Sequence, residues 1–246
     1  MQKTKELQND LKHLKLPHLS ENINTLILEA AKKNMSHIDF LISIISMEIA
    51  GKNERAAERR IQQAHLPYIK TLDKFNWSFP NKINRDLIKH LFTLDFIEQK
   101  RNIACVGSLG SGKTHLMLAL AYQACINGYS VRFDTLNDII EKLDTAQRNG
   151  TFLRTMKKYT SPQVLLIDEI GFLPIDQRGA NFLFQIITTR YERASTIITT
   201  NIGFNEWGKI FDGNNTIASG MLERLLHHCE LVHIEGPSYR MKKIDQ

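Results

Sequence analysis

The stretch Gly107-Ser108-Leu109-Gly110-Ser111-Gly112-Lys113-Thr114 has the residue types and the spacing to grip a phosphate. It fits G-x-x-x-x-G-K-[ST] at every fixed position. Glycines let successive backbone N–H groups curl around an anion without a Cβ in the way. Lys113 adds a point charge at the β/γ-phosphates. The Thr114 hydroxyl suits Mg²⁺, which prefers oxygen ligands. Hydrolysis needs more: a carboxylate to help hold the metal and a group to orient water. Val164-Leu165-Leu166-Ile167-Asp168-Glu169 offers both. Asp168 ends a wholly apolar run and would share Mg²⁺ with Thr114, leaving Glu169 to face the attacking water. Two adjacent carboxylates there are expensive to bury without a cation. Asn201, after Thr199-Thr200, would bring an amide to the γ-phosphate and tell ATP from ADP. Arg224, within Met221–Leu226, is the candidate to stabilise charge on a transferring phosphoryl group from a neighbouring subunit, with Arg240 second. Each has a plainer counterpart: a strand-end Asp-Glu turn, a turn-forming Asn before Gly203, a surface salt bridge. No Asn-Lys-x-Asp follows the loop, so ATP rather than GTP is expected.

These residues need a sheet edge to meet on. Asn102–Val106 reads as a strand before the loop, and Thr114–Asn127 as a helix after it, with Gly128 as its stop. Strands follow at Val131–Asp134, Val164–Asp168, Ser195–Thr199 and Leu231–Ile234, separated by helices at Asn137–Arg148, Thr151–Ser161 and Asn181–Arg193. Alternation of this kind predicts an α/β fold with a five-stranded parallel sheet and right-handed crossovers. The run 164–167 is apolar on both faces, as strands covered by helices are.

The N-terminal part reads differently. Residues 1–66 predict a small all-helical domain. In it Ser20 caps one helix, and Ser36 with Asp39 opens another that carries Ile38, Leu41, Ile42, Ile45 and Ile49, with Gly51 as a break or bend. Lys52, Arg55 and Arg59 share one face of its continuation, a basic stripe suited to a phosphate backbone or simply to water. Arg154, Lys157 and Lys158 form a second basic group. Residues 67–84 read as a connector in which Phe75, Trp77 and Phe79 alternate. They could stack bases but more commonly pin a linker to its own domain. The ATPase part is then 85–246.

Net charge is +6, with 16 Lys+Arg against 12 Asp+Glu in residues 1–100 and 16 against 14 in 101–246. A basic balance permits nucleic-acid binding without establishing it. No apolar run reaches the ~20 residues of a bilayer span, and no signal-peptide core follows Met1, so a cytoplasmic protein without membrane partners is expected. Cys105, Cys125 and Cys229 are scattered and suggest neither disulfides nor a zinc ribbon. His227, His228, Cys229 and His233 read poorly as a metal site, because adjacent histidines on a helix diverge.

Taken together, Gly107–Leu116, Asp168–Pro174 (D-E-I-G-F-L-P), Arg190-Tyr191-Glu192, Thr199–Trp207 (T-T-N-I-G-F-N-E-W) and Ser238-Tyr239-Arg240 resemble the IstB-type transposition helper ATPases. These are relatives of the DnaC/DnaI helicase loaders in the AAA+ class. The resemblance implies an AAA+ P-loop NTPase that binds ATP and Mg²⁺, forms homo-oligomers on duplex DNA with shared ATP sites, and directs an IstA-type transposase to its target. It makes Lys113 and Thr114 the Walker A pair, Asp168 and Glu169 Walker B, Asn201 sensor 1 and Arg224 a trans-acting finger. Three positions depart from the family pattern: Glu223 for Asp, Thr200 for Ser, and Asn76 within Phe-Asp-Trp. With 12 residues after Ile234, no full C-terminal lid domain is expected. Two alternatives share the core: a DnaC-type helicase loader, and an ATP-gated DNA scaffold in which hydrolysis is incidental.

Overall fold

The computed structural model describes residues 2–211 and 214–239. The chain divides into two compact units, 1–59 and 60–246.

The first unit is helical: α1 (Gln2–His13), α2 (Pro17–Lys33) and most of α3 (His37–Ala64). Leu11, Leu19, Ile23 and Leu26 form its core, with Phe40, Ile44 and Met47 of α3 packed against them. Helix α2 starts earlier than expected, because Pro17 pre-sets the helical φ of the first turn. Ser20 is therefore buried inside the helix and donates to the Gln8 carbonyl at 3.1 Å rather than capping. The Ser36 cap is present: its Oγ accepts from the Asp39 N–H at 3.2 Å and donates to Asp39 Oδ2 at 2.6 Å. Helix α3 continues through Gly51 without a break. Its stripe Ile38, Leu41, Ile42, Ile45 and Ile49 faces outward, while Phe40, Ile44 and Met47 supply the inward face.

The second unit is a three-layer sandwich. After the last turn of α3 and a short 3₁₀ turn at Leu72–Lys74 come β1 (Lys82–Ile83), α4 (Arg85–Leu91) and α5 (Asp95–Glu98). Then follow β2 (Asn102–Gly107), α6 (Lys113–Ile126), β3 (Val131–Thr135), α7 (Leu136–Arg148), α8 (Phe152–Thr160), β4 (Val164–Ile170) and α9 (Gln177–Arg190). The chain ends with β5 (Ser195–Thr200), α10 (Trp207–Ile210), α11 (Asn215–Leu226) and β6 (Cys229–Glu235). The sheet order is β1-β6-β2-β5-β4-β3. Strands β2 to β6 are the five expected parallel strands. The sheet has a sixth, β1, paired antiparallel to β6 through Lys82↔Glu235 and Ile83↔Ile234. Two residues carry no periodicity, so this edge was not legible.

Alternation along the strands builds the two cores. Ile103, Cys105 and Leu166 face α6, while Ala104, Leu165 and Ile167 face the layer of α7, α9 and α11. The aromatic connector belongs to the first of these cores. Phe75 is buried there and meets the rings of Trp77 and His115 edge-on at 5.1 and 5.5 Å. Asn84 caps α4, accepting from Leu87 N at 3.0 Å.

Candidate functional site

Strand β2 delivers the loop and α6 leaves it. Gly112, at φ 103°, takes the left-handed conformation at the helix N-cap, and Gly110, at φ 74°, lies where a Cβ would overlap Ser238. Both geometries exclude other residues. Lys113 is buried and its Nζ donates to the carbonyls of Gly107 and Ser108, each at 2.8 Å. Ser108 and Gly110 are also tied to the C-terminal segment. Ser108 Oγ donates to Gly236 O at 2.8 Å, and Tyr239 N donates to Gly110 O at 2.9 Å. Leu109 is exposed at the loop tip. Ser111 Oγ is buried with no hydrogen-bond partner. An orphaned hydroxyl inside an anion-binding curl is what a missing ligand leaves behind.

Of the two expected carboxylates, Asp168 meets the loop. Because β5 lies between β2 and β4, the ends of β2 and β4 stand one strand apart at one sheet edge. Thr114 Oγ1 lies 3.1 Å from each oxygen of Asp168, which is buried. A hydroxyl beside a carboxylate is an oxygen donor set that fits Mg²⁺. Strand β4 runs on past Asp168, with an irregular register against β5 between Ile167 and Ile170. The irregularity turns Glu169 outward: its φ is 63° and its side chain is exposed.

Thr199 holds this arrangement, and the sequence reading did not single it out. Its buried hydroxyl donates to Asp168 Oδ1 and accepts from Glu169 N at 3.0 Å. One hydroxyl thus orients the Asp168 carboxylate and fixes the backbone of Glu169. The available signal was a threonine at the end of an otherwise apolar strand. Asn201 follows two residues later at the same edge, beyond Thr200, which pairs with Val106 and Ile170.

A cavity of about 470 Å³ adjoins the loop, within the range of small-molecule sites. One half is Gly110–Thr114; the other sets the aromatic rings of Tyr68, Phe75, Phe79 and Tyr239 beside Lys70, Lys74 and Asn76. Phe79 and Tyr239 meet edge-on at 4.7 Å. His115 lines the cavity, and burial lowers its pKa. Its Nε2 faces the Thr71 carbonyl at 3.3 Å, so that nitrogen carries the proton.

Arg224 stands elsewhere. Its Nη1 donates to Gly220 O at 2.6 Å and its guanidinium lies 5.2 Å from the centre of the Phe184 ring. Its carbonyl faces the side-chain amide of Asn102 at 3.5 Å. Asn102 begins β2 and Gly107 ends it. At ~3.3 Å per residue the two strand ends are roughly 17 Å apart, beyond the reach of an arginine. Arg240 lies outside the described residues.

The basic candidates are surface groups. Arg59, Arg154, Lys157 and Lys158 are exposed. Arg55 is half-buried and 3.4 Å from the buried carboxylate of Glu48, so part of its charge is engaged. Arg190, a residue of the R-Y-E motif, is structural. It is buried and donates to the carbonyls of Tyr159 (3.0 Å), Pro162 (2.7 Å) and Ser195 (2.6 Å) and to Thr196 Oγ1 (3.1 Å). Among the described residues, no helix is long and apolar enough to cross a membrane.

Comparison with known proteins agrees with this geometry. The chain is 38% identical over 238 residues to the ATP-binding protein of insertion sequence IS21 from Pseudomonas aeruginosa, covering 97% of this chain and 89% of that one. It is 37% identical over 230 residues to the corresponding IS5376 protein of Geobacillus stearothermophilus, covering 94% and 91%. Among solved structures, DnaA from Aquifex aeolicus bound to AMPPCP matches with TM-score 0.57 and 25% identity, over 73% of this chain and 54% of that one. A DnaC helicase loader matches with TM-score 0.55 and 24% identity, over 67% and 96%, a likeness of fold. The model of the IstB-like ATP-binding proteins matches residues 9–246. With the P-loop α/β sandwich of the AAA+ class and a loop built for nucleotide phosphates, the chain belongs to the IstB-like ATP-binding protein family of insertion sequences.

Proposed function

We propose that this chain is a Mg²⁺-dependent ATPase that oligomerises on duplex DNA and helps an IstA-type transposase select its target. ATP binds with its phosphates in Gly107–Thr114 and its base in the aromatic half of the cavity. Lys113 leaves the loop carbonyls for the β/γ-phosphates. Thr114 and Asp168 would hold Mg²⁺, which neutralises charge on the phosphates when bound. Glu169 orients the attacking water, and Asn201 senses the γ-phosphate. The buried Thr199 keeps the Asp168 carboxylate and the backbone of Glu169 in place. Arg224 completes the site of a neighbouring subunit, with Arg240 as a further phosphate contact.

One observation carries this reading. Thr114, Asp168 and Thr199 are hydrogen-bonded together at one sheet edge, while Arg224 is held at the other, on the far end of β2. A site with its acids in one subunit and its cation in the next makes ATP both glue and timer for an assembly. Residues 1–66 serve DNA or partner binding, 67–84 link, and 85–246 hydrolyse. Arg55, Arg59, Arg154, Lys157 and Lys158 are the proposed DNA contacts. The insertion-sequence relatives favour a transposase over a helicase as partner.

Mixing tests the shared site. Glu169→Gln should retain ATP affinity and lose turnover by about 10²- to 10³-fold. Mixed with Arg224→Ala, it should regain activity, because mixed neighbours include an intact Glu169 facing an intact Arg224. Two inactive variants that stay inactive together would remove the shared-site reading. Duplex-DNA binding indifferent to ATP would remove the assembly reading, and an Glu169→Gln variant that releases DNA as fast as the unaltered chain would favour the scaffold.

A further inference from the structure

The sheet edge that carries Arg224 also gathers three side chains with metal-ligand chemistry. Glu192 stands in the turn between α9 and β5, and His227 and His228 in the turn between α11 and β6. Sequence argues against the histidines as ligands, because neighbours on a helix diverge. The helix, however, ends at Leu226. Beyond it the two rings lie with centroids 4.1 Å apart and a tilt of 49°. One Glu192 oxygen is 3.8 Å from Nδ1 of His227 and 3.8 Å from Nε2 of His228. The three ligand atoms lie within 4.8 Å of one another, and no other such group converges among the described residues.

Two imidazoles and a carboxylate suit borderline transition cations such as Zn²⁺, not Mg²⁺ or Ca²⁺. Tetrahedral Zn²⁺, with bonds of about 2.0–2.2 Å, needs ligand atoms about 3.3–3.5 Å apart; the two Glu192–histidine separations of 3.8 Å must close slightly and the histidine pair, within 4.8 Å, by more, through side-chain rotation. All three side chains are exposed, which leaves room for that rotation, for ion entry and for a water ligand. The backbone beneath them is fixed. Arg190, two residues before Glu192, is buried in its ring of carbonyls, and Glu192 itself is held at φ 57°. The Tyr191 hydroxyl lies 2.9 Å from His227 Nδ1. A cation at that nitrogen displaces this bond.

We propose that Glu192, His227 and His228 bind one divalent transition cation of the Zn²⁺ class. It ties the α9–β5 turn to the end of α11, one helical turn from Arg224. His227 and His228 bind as neutral imidazoles and Glu192 as a carboxylate, so binding releases whatever protons they carry. The site stands whether or not Arg224 acts on a neighbouring subunit.

The test is a titration of the chelator-treated full chain with Zn²⁺ by calorimetry and with Co²⁺ by visible absorption. Excess Mg²⁺ keeps the oxygen sites silent. The expected result is one cation per chain and a Co²⁺ spectrum without thiolate charge transfer. Glu192→Gln, His227→Ala and His228→Ala each weaken binding about tenfold or more. Cys229→Ser and Tyr191→Phe do not weaken it. Zn²⁺ should raise the unfolding temperature of the unaltered chain but not of the double variant His227→Ala/His228→Ala. Unchanged ATP affinity of the double variant shows that it is folded. Three results overturn the proposal: no saturable binding at one per chain, full binding by the double variant, or binding lost in Cys229→Ser.

Discussion

The two edges of the parallel sheet are built on opposite plans. At the carboxyl edge, polar groups bond to one another. Thr114 and Thr199 meet Asp168, Thr199 holds Glu169 N, and Lys113 lies on the loop carbonyls beside them. Of this group, Lys113 and Thr114 line the cavity beside the loop. At the amino edge each polar group is anchored separately to the frame. Arg190 is spread over carbonyls from α8, its following loop and β5, Asn102 joins the end of α11, and Arg224 caps Gly220. Convergence marks a site that is assembled within the chain. A partly buried arginine held by one carbonyl and one aromatic ring is easier to redirect than one bonded to four groups, because each such contact contributes only about 1 kcal/mol net. The contrast teaches that burial and bonding separate Arg190 from Arg224 although both are arginines on the same edge.

The largest expected effect breaks that edge. Arg224→Ala should lower turnover of the assembled protein by about 10³-fold or more, while ATP affinity of the isolated chain changes by about twofold at most. Steady-state ATPase assays at rising protein concentration, beside nucleotide titrations, measure both. Equal loss of affinity would mean that Arg224 reaches its own loop. Arg190→Leu should do the reverse. It leaves three carbonyls in a buried region without their donor, which costs about 3 kcal/mol of stability, read from the urea midpoint. Burial lowers the Arg190 pKa to about 9, which still leaves it charged at neutral pH. Arg190→Lys should not restore stability, because an ammonium cannot span the same carbonyls.

The carboxyl edge can be tested by a smaller cut. Thr199→Val keeps the shape of the side chain but removes the hydroxyl shared by Asp168 and Glu169 N. About 1–2 kcal/mol of stability should go, and turnover should fall by roughly tenfold with Lys113 and the loop intact. Unchanged turnover would mean that the backbone alone orients Glu169.

These contrasts also explain what was legible in the sequence. Regular periodicity gave the five parallel strands, and a fixed motif gave Lys113 and Thr114. Asp168 followed from the cost of carboxylates at the end of an apolar strand. Thr199 was hidden because its role depends on which strand lies beside β4, a matter of topology. Glu192 was hidden for the same reason: the turn between α9 and β5 meets the histidines only once the sheet is ordered. Ser20 misled because a serine before an apolar run fits a cap, while Pro17 had already started the helix. The stripe on α3 misled in another way, since apolar residues occupy two of its faces and only one is packed.

The smallest expected effects concern α8. Arg154, Lys157 and Lys158 are exposed, whereas Tyr159 beside them is buried with its ring 5.6 Å from the Arg132 guanidinium. The helix is therefore anchored by one face, and its three charges stay with the other. If they touch phosphates, each alanine substitution should lower the slope of log affinity against log salt by about 1 and weaken all duplex sequences alike. Arg55→Ala should change the slope less than Arg59→Ala, because Arg55 already faces the Glu48 carboxylate at 3.4 Å. Equal slopes for those two variants would show that the Glu48 pair opens on DNA. An unchanged slope for all three α8 variants would move the phosphate contacts off this face, leaving α8 as a solvated helix packed on α7 and α9.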